Sequence, residues 1–230
     1  MLHKFKLIKC CALAVLLCSC ATAPANREVD SAPETTPDSR LALLEATYED
    51  LFSRIEAGQL SDSLKPFLTD SSLLWVDEME VAAISESRNA VEARPFNELM
   101  TIILYRMLER DNRMVGFYKD RMLSLAIGKN GVLRKIRALK LGPMEVRNLR
   151  GTRGLSSSPR VPIIYFTWID GRWKLDLKAT LPVITRGIET IGVKKEWSQS
   201  KTILYLLEKQ YRNQLKVAPD ESLLDPGSPQ

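Results

Sequence analysis

The thiols and the imidazole with which this chain could do chemistry are crowded into its first 20 residues: His3, Cys10, Cys11, Cys18 and Cys20. Leu17-Cys18-Ser19-Cys20 closes an apolar run that begins at Cys10 and follows Lys4, Lys6 and Lys9. A helix needs about 20 apolar residues to cross a bilayer core, and this run is far shorter. A cationic start, a short apolar run and a small residue before a cut are the layout of a processed export signal. Cleavage after Ser19 makes Cys20 the first residue of the mature chain, with its thiol open to modification.

Removal of residues 1–19 also takes His3 and three cysteines with it. The mature domain then has no disulfide, although an exported protein enters a compartment that permits one. Histidine triads, histidine bases, cysteine nucleophiles and thiolate or imidazole zinc sites are excluded together. Carboxylates, Lys, Tyr and Ser remain. No paired-carboxylate motif and no Gly-rich phosphate loop stands out among them. No catalytic residue, no metal and no cofactor is assigned.

Binding chemistry is better represented. Arg147, Arg150, Arg153 and Arg160 surround one expected hairpin, just after Arg134, Lys135, Arg137 and Lys140. Tyr165, Trp168 and Trp173 lie in or beside the same hairpin and are candidate pocket-lining residues. The formal charge of +5 falls to +2 when Lys4, Lys6 and Lys9 leave. That small net value hides a split. Residues 27–92 hold 15 acidic and 5 basic residues, whereas residues 106–160 hold 14 basic and 4 acidic. Such polarity suggests electrostatic contact with a partner or between the two halves. In an exported protein the four arginines point to an acidic envelope protein or another anionic envelope component. Nucleic acid is not an expected partner there, because of the compartment.

The elements that must position these residues follow from periodicity. Residues 21–37 carry Pro24, Pro33 and Pro37 among small and acidic residues, the composition of a tether. Asp38 is the expected N-cap of a helix carrying Leu41, Leu44, Tyr48, Leu51, Phe52 and Ile55, with Gly58 suited to end it. Pro66 interrupts a short piece, and another helix starts near Asp70 or Ser71. Phe96, Leu99, Met100, Ile103, Leu104, Met107 and Leu108 form the clearest amphipathic stripe. After Gly142-Pro143 the period shortens. Residues 144–150 alternate as a strand, 151–159 read as a Gly- and Ser-rich loop, and 161–169 are β-branched and aromatic. Asp170-Gly171 signals a hairpin turn into the strand Arg172–Leu177, giving a three-strand meander. Asp176 reads as a solvated strand residue. Thr180 is the expected cap of a helix carrying Leu181, Ile184, Ile188 and Ile191, and Trp197 to Leu215 mark a second.

The first 20 residues resemble bacterial lipoprotein signals. That resemblance implies a diacylglycerol on the Cys20 thiol and an acyl chain such as palmitate on its amine. Two or three chains hold a protein durably at a membrane. Ala21, rather than Asp, implies the outer membrane, facing the periplasm. Further on, Phe166-Thr167-Trp168-Ile169-Asp170-Gly171-Arg172-Trp173-Lys174-Leu175 is similar to the closing hairpin of the NTF2-like (cystatin-like) superfamily. The resemblance implies an α+β fold with N-terminal helices on a curved antiparallel sheet and a cone-shaped pocket. The expected organisation is a signal (1–19), a lipidated Cys20 and tether (20–37), an α+β domain (38–180), C-terminal helices (181–216) and a loose tail (217–230). The expected function is that of a membrane-anchored envelope lipoprotein, not an enzyme, whose domain binds a protein partner or an apolar ligand. An envelope enzyme using carboxylates in the cone and a structural assembly subunit are the alternatives. Two close buried carboxylates favour the enzyme, an apolar pocket favours ligand binding, and a filled interior favours assembly.

Overall fold

The computed structural model describes residues 36–59, 61–111, 120–128 and 131–227. The expected signal, Cys20 and the expected tether up to residue 35 lie outside them. Helix α1 (Pro37–Glu56) begins one residue before the expected cap, Asp38. Thr36 is the cap, and its Oγ1 accepts from the Ser39 N–H. Pro37 suits the first helical position because it has no N–H to leave unpaired there, so Asp38 falls in the first turn. Gly58 follows the helix at φ +69°, a left-handed conformation that costs glycine little.

Next come α2 (Ser61–Leu64), a 3-10 turn at Lys65–Phe67 around Pro66, and α3 (Asp70–Ser85) capped by Thr69. Helices α4 (Arg88–Glu92) and α5 (Phe96–Arg110) follow. The expected stripe of α5 is its buried face: Leu99, Ile103, Leu104 and Met107 are all in the core. The helical half closes with α6 (Arg121–Ile127) and α7 (Val132–Arg137).

The remaining chain supplies an open sheet. Strands β1 (Leu141–Arg147), β2 (Arg150–Leu155), β3 (Ser158–Ile169) and β4 (Arg172–Leu175) form an antiparallel meander in that order. It has four strands and not three, because residues 151–155, expected to be the start of a loop, pair on both sides as part of β2. Their glycines mark close approach, not a turn. A Cβ on Gly151 would strike the Leu44 side chain, and one on Gly154 would strike the Pro159 carbonyl oxygen. The Asp170-Gly171 turn forms as expected, with φ +48° and +73°, and joins Trp168 to Trp173 as directly opposed residues.

One face of this sheet meets α1. Ile164, Phe166, Trp173 and Leu175 bury against Leu44, Tyr48, Leu51 and Phe52, with the Tyr48 and Phe166 rings edge-on at 6.4 Å. Helix α8 (Leu177–Lys194) starts four residues earlier than expected, and α9 (Gln199–Tyr211) packs on it. Asp176 is therefore not a strand residue. Its Oδ1 accepts from the Ala179 N–H at 3.0 Å and caps α8. Thr180 is not a cap but a fully buried residue. Its hydroxyl accepts the Tyr165 N–H, a β3 group that β4 has stopped short of pairing.

Within the expected loose tail, the described residues up to 227 hold a packed segment. A 3-10 turn at Glu221–Leu224 buries Leu223 and Leu224. Arg88 donates to Asp225 and to the Glu221 carbonyl, and Arg110 to Asp220, Ser222 and the Ala218 carbonyl. These three acids complement part of the basic charge. Arg137 reaches Glu49 of α1 at 3.0 Å, so the two oppositely charged segments also meet directly. Helices packed on an open four-stranded antiparallel sheet make this an α+β fold.

Candidate binding groove

Where the β3–β4 hairpin leans on α1, two tryptophans come together. Trp168 and Trp173 face each other across the ladder with ring centroids 5.1 Å apart and planes at 66°, the edge-to-face arrangement that aromatic quadrupoles prefer. Trp173 is buried, and its Nε1–H donates to the Arg40 carbonyl at 2.8 Å, which ties the hairpin to the first turns of α1. Trp168 is half-buried, with the Arg40 guanidinium 5.6 Å from its ring centroid. Leu43 and Thr47 from α1, Pro66 and Phe67 from the 3-10 turn, and Gly171 and Arg172 from the hairpin complete a groove of about 220 Å³. Leu43 is 45% exposed on its edge. Arg54 lies 5.3 Å from the Phe67 centroid and steadies that wall.

The third aromatic residue expected in a pocket is elsewhere. Side chains alternate across a strand, so Tyr165 stands on the opposite face from Trp168. It is half-buried, and its hydroxyl donates to the Pro162 carbonyl at 3.4 Å.

The four arginines do not form one patch. Arg147 and Arg150 are directly opposed on the sheet face away from α1, and the same register row continues through Thr167 to Lys174. Arg147 also pairs with Glu145 at 3.0 Å but stays 82% exposed. Arg153 points the other way. Its guanidinium sits 4.7 Å from the Tyr48 ring centroid, and its Nε–H donates to the Gly142 carbonyl at 2.9 Å. Burial raises the pKa of the Tyr48 phenol, and the Arg153 and Arg137 charges oppose that only in part. Arg160 is exposed seven residues along β3 from the partner of Arg150, roughly 20 Å away at strand spacing.

A second cavity, of about 240 Å³, is lined by Lys65, Leu73, Val76, Asp77, Asp120 and Leu123. Lys65 bridges Asp62 at 3.0 Å and Asp120 at 2.8 Å and neutralises much of its acidity. Near it, the Glu80 carboxyl has a raised pKa, first through burial and then through the charge on Asp120. Among the described residues no cluster of three or more acids, histidines or cysteines is arranged to hold a metal, and no helix is long and apolar enough to cross a membrane.

Comparison with protein-family models, with curated proteins and with solved structures finds no match. The groove's own residues must carry the reading. Trp168 and Trp173 were visible in sequence through their alternation. Arg40, Leu43 and Phe67 were not, because nothing local in α1 or the Pro66 turn says that the hairpin will fold onto them.

Proposed function

We propose that this chain is a lipid-anchored lipoprotein of the bacterial envelope whose domain holds a protein partner by one apolar anchor residue seated in the Trp168 groove. The observation that carries the reading is the size and lining of that groove. Small-molecule pockets run to about 300–1,000 Å³ and bury most of their ligand. A cleft of about 220 Å³ is smaller and open, and suits a single large side chain. Recognition through a few buried anchors in well-packed apolar pockets is how protein interfaces concentrate their energy. Of the two occupants expected from sequence, the size thus favours a protein over a free apolar ligand. Exposed Arg172 at the edge favours an acidic residue beside the partner's anchor.

The localisation rests on sequence. Cys20 carries the acyl chains, Ala21 directs the protein to the outer membrane, and the domain faces the periplasm. A tether of about 17 residues spans roughly 20–25 Å as a flexible chain. Kinship with the NTF2-like superfamily is supported by the Asp-Gly hairpin and by a helix lying across one face of the sheet. On that reading the cone's interior is taken up by Tyr48 and Phe52, and binding has moved to its edge.

A photo-reactive residue in place of Leu43 of the full chain tests the groove in intact envelopes. The expected result is a discrete adduct that disappears when Trp168→Ala is added. A photo-reactive residue at Leu149, exposed on the β1–β2 turn, gives no such adduct. Identical adducts from both positions, or an adduct indifferent to Trp168→Ala, would overturn the proposal.

A further inference from the structure

The turn between α8 and α9 gathers a second aromatic group that the groove does not use. Trp197, just before the Ser198 cap, meets Tyr205 of α9 edge-to-face at 4.9 Å. Three lysine ammoniums surround the pair. Lys195 lies 4.6 Å from the Trp197 centroid and 5.8 Å from that of Tyr205. Lys201 lies 5.2 Å from Trp197, and Lys209 lies 4.9 Å from Tyr205. None of the three has a carboxylate within ion-pairing distance among the described residues. The two acids of this stretch, Glu196 and Glu208, are exposed and likewise unpaired. Residues 193–212 carry five basic and two acidic side chains, so the surface is positive.

Just before Trp197 in the chain, the last turn of α8 exposes apolar side chains, Val193 at 71% and Ile191 at 40%. The turn that presents them is held firmly. Gly192 packs so closely on Thr202 of α9 that a Cβ would strike its hydroxyl, and the Trp197 N–H donates to the Gly192 carbonyl at 3.0 Å. Exposed aliphatic side chains, two amphipathic rings and ammoniums on long stems are thus gathered at one firmly held turn.

That combination of side chains matches the boundary of a lipid bilayer. Trp and Tyr settle at head-group level with their apolar bodies inward. Lysine stems lie along apolar surface while their ammoniums reach outward to polar groups. Interfacial helices combine exposed apolar residues with lysines that face anionic head groups. We propose that the α8–α9 turn is a membrane-contact surface selective for anionic lipid. This goes beyond the groove and does not depend on acylation of Cys20.

The test uses the full chain incorporated into vesicles whose acyl chains carry bromine, a short-range quencher of tryptophan emission. Vesicles of phosphatidylcholine alone are compared with vesicles that also contain phosphatidylglycerol, and Trp197→Phe identifies the contribution of Trp197. The expected result is a loss of Trp197 emission with phosphatidylglycerol present. That loss is abolished when Lys195, Lys201 and Lys209 are all changed to Gln, and reduced at high salt. No quenching of Trp197 in a protein with an unchanged melting curve would overturn the proposal. Equal quenching without phosphatidylglycerol would overturn the assignment to anionic lipid. Cys20 acylation is followed separately with labelled palmitate, so failure of the anchor and failure of the contact are read independently.

Discussion

Arg106 shows how much one residue can hold. It is 5% exposed, and its five N–H donors all meet backbone carbonyls: Ala82, Ala83 and Glu86 at the end of α3, and Leu223 and Leu224 in the C-terminal turn. Burial lowers its pKa, but guanidinium stays protonated far above neutral pH, so the charge persists. The fork geometry is what fits. Arg106→Leu would leave several buried carbonyls without donors and should destabilise the fold by on the order of 3 kcal/mol, measured by urea unfolding. Arg106→Lys keeps the charge but brings three donors from a single point. It should recover only part of that loss, and full recovery would show that charge alone matters.

At the scale of the element, the β3–β4 turn is the clearest case of sequence speaking for structure. Gly171 has φ +73° and no atom near the position of a Cβ. Its role is therefore conformational and not steric. Gly171→Val should cost about 1–3 kcal/mol, because a β-branched residue is strained at positive φ. Gly171→Asn, which tolerates this region, should cost clearly less. Thermal melts of the two variants decide the matter, and equal losses would contradict a conformational cause. The same element shows where reading by composition fails. Gly151 and Gly154 look like loop glycines, yet they sit in β2 because Leu44 and the Pro159 backbone approach too closely for a side chain.

At the scale of the molecule, carboxylates held by hydrogen bonds and ion pairs at the junctions of elements set the response to acid. The Glu86 carboxyl is held below its usual pKa, above all by hydrogen bonds from Arg94. Asp220 is lowered by Ser222 and then by Arg110. A carboxyl whose folded pKa is depressed contributes stability that is present above its unfolded value. That contribution is lost as pH falls through the folded value. The protein should therefore lose stability as pH drops below about 4. Glu86→Gln should lower the melting temperature at neutral pH, and the gap from the parent should close as pH falls. Glu80, whose pKa is raised by burial, acts in the opposite direction. Parallel melting curves for Glu86→Gln and the parent down to pH 2 would argue that the Arg94 pair does not set the acid limb.

Much of this architecture was legible in the chain by itself, because it depends on neighbours close in sequence. The buried stripe of α5, the left-handed Gly58, the Asp-Gly turn and the opposed Trp168 and Trp173 follow from periods of 3.6 and 2 and from the glycine φ preference. The absence of thiols and imidazoles beyond Cys20 is likewise a statement about order and composition. What needed the tertiary structure was every choice of face and partner made across long separations. Arg147 and Arg153 look alike in sequence, yet one is solvated and the other is pressed on Tyr48, because strand parity and the position of α1 decide it. Tyr165 parts from Trp168 for the same reason. The tail became a packed turn only because Arg88, Arg106 and Arg110, more than a hundred residues away, supply donors that it could not find locally. Periodicity states that a side chain alternates or recurs. It does not state what the far end of the chain will bring against it, and both the groove and the buried arginine are made of such encounters.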